Sequence, residues 1–297
     1  MRVKRGGDLL RIYVSNYLSN SISIINYDNL EVEQEVYLDD LIHPHSFCID
    51  KDKNLMYIPS SITGNVYIAK LDTFEIIDTI SIGGNINNAI IHNDELYLVN
   101  EDTNSIYIVD TNTLKPVTVI SVDEMPHGID INESKKKIYI PCSDSVLRID
   151  TELKTVDNTK KTNMKSWHLK VDKTKNEIYA TVIEGKLLIL DENTMDIKEC
   201  IQGYILPIDV VISNAKEKIY VSDMGCMGIV VSDYNTKEVI KVIDVCGYPQ
   251  GLCITHNDKY LWVSDTQNDL IKIYDTDDYN LIKTIIVGKE PTTILCV

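Results

Sequence analysis

The chain has 297 residues, of which 44% are hydrophobic and 25% charged, a composition typical of a soluble globular protein with a sizeable core. Its net charge of −16 excludes the basic footprint that binds nucleic acid, and it disfavours contact with anionic membrane surfaces. Since no apolar run approaches the ~18 residues of a membrane-spanning helix, we expect neither nucleic acid nor a membrane as partner.

The N-terminal segment precedes the first strand pattern of the chain. Residues 1–8 are basic but lack the apolar run of a signal peptide. We therefore expect residues 1–9 to be a disordered or non-native N-terminal extension that takes no part in the fold.

The cysteines indicate a reducing compartment. There are seven of them, an odd number, and no CxxC pair or zinc-ligand spacing occurs. Cys48, Cys253 and Cys296 lie within apolar strand patterns, where a free thiol packs as a small hydrophobe. Together with the missing signal peptide, this pattern predicts a cytoplasmic location.

An apolar–aromatic strand motif recurs along the whole chain, beginning with Ile12-Tyr13-Val14-Ser15. Successive aromatic positions are 44, 40, 42, 40, 41 and 42 residues apart. A period near ~40–45 residues that contains only strand patterns is typical of a β-propeller. The aromatic residues of the seven repeats are Tyr13, Tyr57, Tyr97, Tyr139, Tyr179, Tyr220 and Trp262.

Each repeat contains four short strand patterns. A strand that is often opened by proline, as at Pro126 and Pro207, precedes the aromatic strand. An alternating third strand follows, then a polar turn such as Asp110-Thr111, then a fourth strand. Since no helical periodicity or linker interrupts the repeats, we predict an all-β, seven-bladed propeller of four-stranded antiparallel blades. It should form one domain over residues 1–297.

The two ends of the chain complement each other. The first repeat begins at its aromatic strand and lacks a proline-led strand before it, whereas residues 291–297 form a proline-led strand without continuation. Joining the two ends would complete a seventh blade and remove an open sheet edge. We therefore predict that residues 290–297 pair with residues 11–15.

The chain resembles the YVTN-repeat β-propeller family. Three segments match the family's motif most closely: Ile12-Tyr13-Val14-Ser15-Asn16, Ile219-Tyr220-Val221-Ser222-Asp223 and Leu261-Trp262-Val263-Ser264-Asp265. The resemblance covers essentially the whole chain and implies the fold. Propellers of this shape include cell-surface adhesion modules, partner subunits of redox enzymes, sugar lactonases, and streptogramin lyases similar to virginiamycin B lyase. No catalytic set of these proteins matches this chain residue by residue.

The first residues of the seven proline-led strands should meet around the propeller axis. Loops on a rigid ring converge there, and ligand sites are usually concave with a few convergent polar groups. The alternative is a purely structural role, in which a ring of hydrogen-bonded side chains surrounds a water-filled channel. The expected ligand-binding residues at this channel mouth are His45, Asn87, His127, Trp167, His168, Asp209 and Gln250.

Three of these residues could carry chemistry. His127 and His168 could act as a general base, and Asp209 could orient His168 or join both histidines around a divalent metal. We predict no cofactor, with a divalent metal as the less favoured alternative. A close His168–Asp209 pair in a concave pocket would favour an enzyme, whereas a flat face would favour partner binding.

Three functions remain open from the sequence. The first, which we favour, is a non-enzymatic scaffold that presents its His- and acid-lined channel mouth to a protein or small-molecule partner. The second is a hydrolase or lyase with a histidine general base. The third is a structural subunit of a larger assembly. We expect the protein to be a monomeric ring.

Overall fold

The computed structural model describes residues 10–38, 42–255 and 257–296, which form seven four-stranded antiparallel sheets arranged as the blades of a ring. The strands are numbered β1 to β28 along the chain. The innermost strands are β4 (Cys48–Asp50), β8 (Ile86–His92), β12 (Asp130–Asn132), β16 (Ser166–Asp172), β20 (Pro207–Ser213), β24 (Pro249–Ile254) and β28 (Pro291–Cys296).

The second strand of each blade carries the aromatic motif. These strands are β1 (Arg11–Asn16), β5 (Leu55–Pro59), β9 (Glu95–Asn100), β13 (Lys137–Pro141), β17 (Glu177–Val182), β21 (Lys218–Asp223) and β25 (Tyr260–Asp265). The third strands are β2 (Ser21–Asn26), β6 (Asn65–Lys70), β10 (Ser105–Asp110), β14 (Ser145–Asp150), β18 (Lys186–Asp191), β22 (Gly228–Asp233) and β26 (Leu270–Asp275).

The fourth strands form the outer rim of the ring. They are β3 (Glu31–Tyr37), β7 (Ile76–Ser81), β11 (Lys115–Ser121), β15 (Thr155–Lys161), β19 (Ile197–Gln202), β23 (Val239–Asp244) and β27 (Leu281–Ile286). Most of their side chains are exposed, in contrast to the buried second and third strands. The predicted fold class is therefore confirmed. The predicted extension, residues 1–9, lies outside the described residues.

The C-terminal strand closes the ring by completing the first blade. β28 pairs antiparallel with β1, so that Ile294 lies opposite Val14 and Cys296 opposite Ile12. The predicted closure is confirmed for residues 291–296, and Val297 lies outside the described residues. Because this pairing joins the two ends of the chain, no blade of the described ring is left without its inner strand.

The hydrophobic core lies between neighbouring blades. Tyr97 of the third blade packs in one cluster with Ile138 and Ile140 of the fourth, and Tyr139 of the fourth packs with Ile178 of the fifth. The motif aromatics are fully buried or nearly so. Burial of each large apolar side chain contributes about 1.5–3 kcal/mol, so the repeated motif contributes to the packing between neighbouring blades at each of the seven repeats.

Bulges at the start of the inner strands bring consecutive side chains to the axis. In β16 the pairing with β17 shifts between Ser166 and Leu169, and β20 and β24 have the same irregularity at their starts. A bulge breaks the strict alternation of a strand. As a result Trp167 and His168, although adjacent in sequence, both contact the ring of His127.

Candidate functional site

A cavity of about 900 Å³ runs along the axis of the ring and is lined by residues of all seven innermost strands. We call one end of it the His end, where His45, His127 and His168 lie just before or near the starts of their inner strands. We call the other the far end, which is lined by residues 50–53 with Asn93 and Asp94. Concave, partly apolar spaces of this size are typical ligand sites.

Aromatic side chains from different blades pack together at the His end. His127 stacks on Trp167 with ring centroids 3.8 Å apart, and it meets His45 edge-on at 6.1 Å. The Nε2 atom of His45 lies 3.4 Å from Nε2 of Gln250. His127 is only 5% exposed. These side chains therefore fill much of the predicted channel mouth.

The histidines of the His end favour their neutral form. Burial, together with the nearby His168, lowers the pKa of His45 to about 4. Burial and the two neighbouring imidazoles hold the pKa of His127 well below its usual value. Burial also lowers the pKa of His168, against the opposing effect of Asp209. All three are therefore uncharged near neutral pH.

Lys170, on β16, lines the cavity. Its Nζ atom lies 3.2 Å from Oδ2 of Asp130, and this carboxylate is the main reason that its pKa is raised. The side chain is 47% exposed, and because Lys170 lines the cavity this exposure is to the cavity interior. Asp130 Oδ2 also accepts the Val171 N–H at 2.8 Å. The ion pair thus bridges two neighbouring blades.

Asp209 is held by the main chain. Its Oδ1 accepts the N–H of Val210 at 2.8 Å, and its Oδ2 accepts the N–H of Leu252, on the next blade, at 3.0 Å. The Nδ1 atom of His168 lies 3.9 Å from Asp209 Oδ1, beyond hydrogen-bond distance. Both side chains line the cavity, so the two residues that we expected to pair are close together in a concave space.

Charged residues surround the cavity at the far end. The Nζ atom of Lys53 lies 2.7 Å from Oδ1 of Asp94 and donates to Oγ1 of Thr111 at 2.6 Å. Lys51, Asp52 and Asp94 are exposed, so the cavity reaches the protein surface at this end. A ligand could enter here without displacing the aromatic cluster of the His end.

The expected site residues fall into two groups. His45, His168, Asp209 and Gln250 line the cavity, whereas Asn87, His127 and Trp167 lie beside it at the His end. Asn87 donates to Glu101 Oε2 at 3.1 Å and to the Pro126 carbonyl at 3.3 Å. Whether any of these seven residues binds a ligand stays a prediction.

Sequence reasoning missed Asp130 and Lys170. Both come later in the chain than the predicted site residues of their blades, His127 and His168. Lys170 is two residues after His168, and alternate residues of a strand face the same side. That alternation was the available signal for placing Lys170 in the channel.

The described residues contain no preformed group of ligands for the divalent metal that we considered as an alternative. Among residues 10–38, 42–255 and 257–296, no group of three or more His, Cys, Asp or Glu side chains could hold a metal ion. His127 instead stacks on Trp167. All seven cysteines lie in the described part of the chain, and none of them forms a disulfide.

Comparisons with known proteins identify the fold. No known family profile and no curated protein matches the sequence, so the YVTN family stays a resemblance. A putative 6-phosphogluconolactonase from Bacteroides fragilis NCTC 9343 is 17% identical, with a TM-score of 0.81 over 100% of both chains. Another from Bacteroides uniformis ATCC 8492 is 14% identical, with a TM-score of 0.81 over 98% of this chain and 100% of that one.

A third similar structure is the dihydro-heme d1 dehydrogenase NirN in complex with DHE. It is 11% identical and has a TM-score of 0.75 over 99% of this chain and 77% of that one. Identities this low show a shared fold and leave function open. In the described part of the chain, no helix is long and apolar enough to cross a membrane.

Proposed function

We propose that this propeller binds a small polar molecule inside its axial cavity, in contact with His168, Lys170 and Asp209. The observation that carries the proposal is the placement of an ammonium group and two carboxylates within a cavity of about 900 Å³. Charged groups are costly to hold in a protein interior. Their presence there is readily explained when they serve a ligand.

The shape of the cavity favours a small molecule over a protein partner. Apolar side chains such as Ile90, Val211 and Leu295 line it beside the charged groups. Such a mixture is typical of small-molecule sites, where the walls supply contact area and a few polar groups fix orientation. A protein partner would more readily use the exposed rim of either face.

Binding can be tested by thermal shift with panels of sugars, sugar acids, lactones, carboxylates and amines. A ligand of the cavity should stabilise the protein, and the cavity-filling Ile90→Trp should abolish the shift, whereas Lys170→Met should abolish it only for anionic ligands. The matched control is Lys115→Met, because Lys115 is an exposed residue of the outer strand β11. Shifts that survive both cavity substitutions, or no shift with any panel, would contradict the proposal.

A hydrolase or lyase is the second candidate, favoured by the closeness of His168 and Asp209. The 3.9 Å separation of Nδ1 and Oδ1 would need to shorten on ligand binding for Asp209 to orient the imidazole. The low pKa of His168 leaves it neutral and able to accept a proton. Two similar structures are described as putative 6-phosphogluconolactonases, which makes lactones the first substrates to try.

Catalysis can be tested by following the hydrolysis of 6-phosphogluconolactone and glucono-δ-lactone in a pH-stat. An enzyme should lose at least ~100-fold in rate with His168→Gln, in line with the usual contribution of a general base. Lys115→Met should leave the rate unchanged. A rate no faster than the uncatalysed reaction would exclude lactone hydrolysis while leaving the binding function intact.

A further inference from the structure

Carboxylates outnumber amines around the axial cavity. The acidic residues that line it are Asp50, Asp52, Asp94, Asp130 and Asp209, and the lysines are Lys51, Lys53 and Lys170. The histidines add no compensating charge near neutral pH, since burial lowers the pKa of His45 and His168. The cavity is therefore a negatively charged space within a protein of net charge −16.

Asp209 has the least compensated carboxylate in the interior of this cavity. Asp130 has Lys170 at 3.2 Å, whereas Asp209 interacts with the same ammonium group only at longer range and has the neutral imidazole of His168 at 3.9 Å. Two main-chain N–H groups hold the carboxylate in place without adding a full charge. A buried charge of this kind is strongly stabilised by a cation that reaches it.

The geometry points to a small organic cation, a primary amine with an apolar body, as the ligand of the cavity. This inference rests on the proposed function, and it names the chemical class that the site selects. The amine would place its ammonium group between Asp209 Oδ1 and His168 Nδ1, with its carbon chain along Val211 and Leu295 on the cavity wall.

Hydrogen-bond chemistry distinguishes an ammonium group from other polar groups here. A nitrogen about 2.9 Å from both atoms fits within their 3.9 Å separation. Both atoms accept when His168 carries its proton on Nε2, so the site calls for two donors from one ligand atom. An ammonium group has three N–H donors, a hydroxyl has one, and a carboxylate has none. Of these three groups, only the ammonium satisfies both acceptors and adds a positive charge next to Asp209.

The far end suits the approach of a cation. Asp52 and Asp94 are exposed there and line the cavity, and the negative potential of the whole protein adds to theirs. Clefts lined by one sign of charge raise the local concentration of oppositely charged ligands. The same field opposes the entry of carboxylates, although Lys51 and Lys53 offset part of it.

The test compares three probes of equal chain length, hexylamine, 1-hexanol and hexanoate, by isothermal titration calorimetry at pH 7.5. Hexylamine should bind at least tenfold more tightly than either of the others. Asp209→Asn should weaken hexylamine binding at least tenfold, about 1.4 kcal/mol. His168→Gln should weaken it less, because the charge of Asp209 remains. The matched control Asp28→Asn removes an exposed carboxylate in a turn and should change nothing.

The outcomes separate this inference from the proposed function. Tighter binding of hexanol or hexanoate, abolished by Ile90→Trp, would leave cavity binding intact and overturn the amine assignment. Hexylamine binding that Asp209→Asn leaves unchanged would also overturn it, as would the failure of hexylamine to bind while another panel compound binds in the cavity. Circular dichroism of each variant confirms that the propeller is folded.

Discussion

The Thr181 hydroxyl donates a hydrogen bond to the main-chain carbonyl of Ile208, on the next blade, at 2.8 Å. The same oxygen accepts the N–H of His168, within its own blade, at 3.0 Å. One side chain therefore ties together the starts of two inner strands. Ser222 and Ser264 make the equivalent bonds to the carbonyls of Gln250 and Thr292 at 2.8 and 2.9 Å.

This bond gives the hydroxyl residue of the strand motif a structural role. Ser15, Thr181, Ser222 and Ser264 occupy the same motif position and are fully buried. Because each hydroxyl satisfies main-chain groups at a bulge, it fixes the direction of the residues that face the axis. The motif thus positions the cavity wall as well as the core.

Replacing Thr181 by valine should test this role. Valine keeps the shape but leaves the His168 N–H and the Ile208 carbonyl without that partner, so we expect a loss of about 1–3 kcal/mol in the free energy of unfolding. Urea denaturation measures the loss. Thr118→Val, on the outer strand β11, makes the same exchange at a partly exposed site and should cost less than ~0.5 kcal/mol. Equal costs for the two variants would contradict the bridging role.

The closing strand should contribute strongly to stability. Ile294 of β28 is 5% exposed and packs with Ile12 and Val14 of β1, whereas Ile286 of β27 is 80% exposed. Ile294→Ala should therefore cost about 2–4 kcal/mol through lost burial and a residual cavity. Ile286→Ala should cost less than ~0.5 kcal/mol. Chemical denaturation of the two variants checks the difference, and similar midpoints would show that closure adds little.

The sequence was sufficient to predict the fold because each blade repeats the same local pattern. The aromatic residues of the motif, from Tyr13 to Trp262, are buried, and the packing of neighbouring blades provides this burial. The mismatched ends then required β28 to pair with β1, as observed.

The candidate site was less predictable, because side-chain direction at the axis depends on the bulges and on the width of the channel. His127 and Trp167 belong to adjacent blades, and their stacking depends on the distance between two strand starts. The contact of His127 with His45 crosses between non-adjacent blades. Neither distance can be derived from the spacing of residues in the sequence. The channel mouth was therefore expected to be open, whereas aromatic rings fill much of it.

Stability should fall as the pH drops below about 6.5. His45 has a folded-state pKa of about 4, and that of His127 is well below its usual value, so the unfolded chain binds more protons in this range. Each such histidine lowers the free energy of unfolding by about 1.4 kcal/mol per pH unit between its unfolded and folded pKa values. Urea denaturation from pH 7.5 to 5 measures the slope. A flat profile would show that these imidazoles remain accessible to protons in the folded protein.

The stacked pair His127 and Trp167 allows the pH effect to be separated from packing. His127→Phe keeps an aromatic ring against Trp167 but removes the titrating group, so it should cost less than ~1.5 kcal/mol at pH 7.5, as for shape-conserving exchanges. Its stability should also fall less steeply toward pH 5 than that of the unmodified protein. His127→Ala shares the flatter slope but should cost about 1–3 kcal/mol more, through the lost stacking and the cavity left behind. His168→Ala, at a half-buried position on the cavity wall, is the matched control and should cost less than His127→Ala. If His127→Phe retains the full dependence of stability on pH, that dependence arises from other groups. If His127→Ala costs no more stability than His168→Ala, the aromatic cluster does not hold the His end closed.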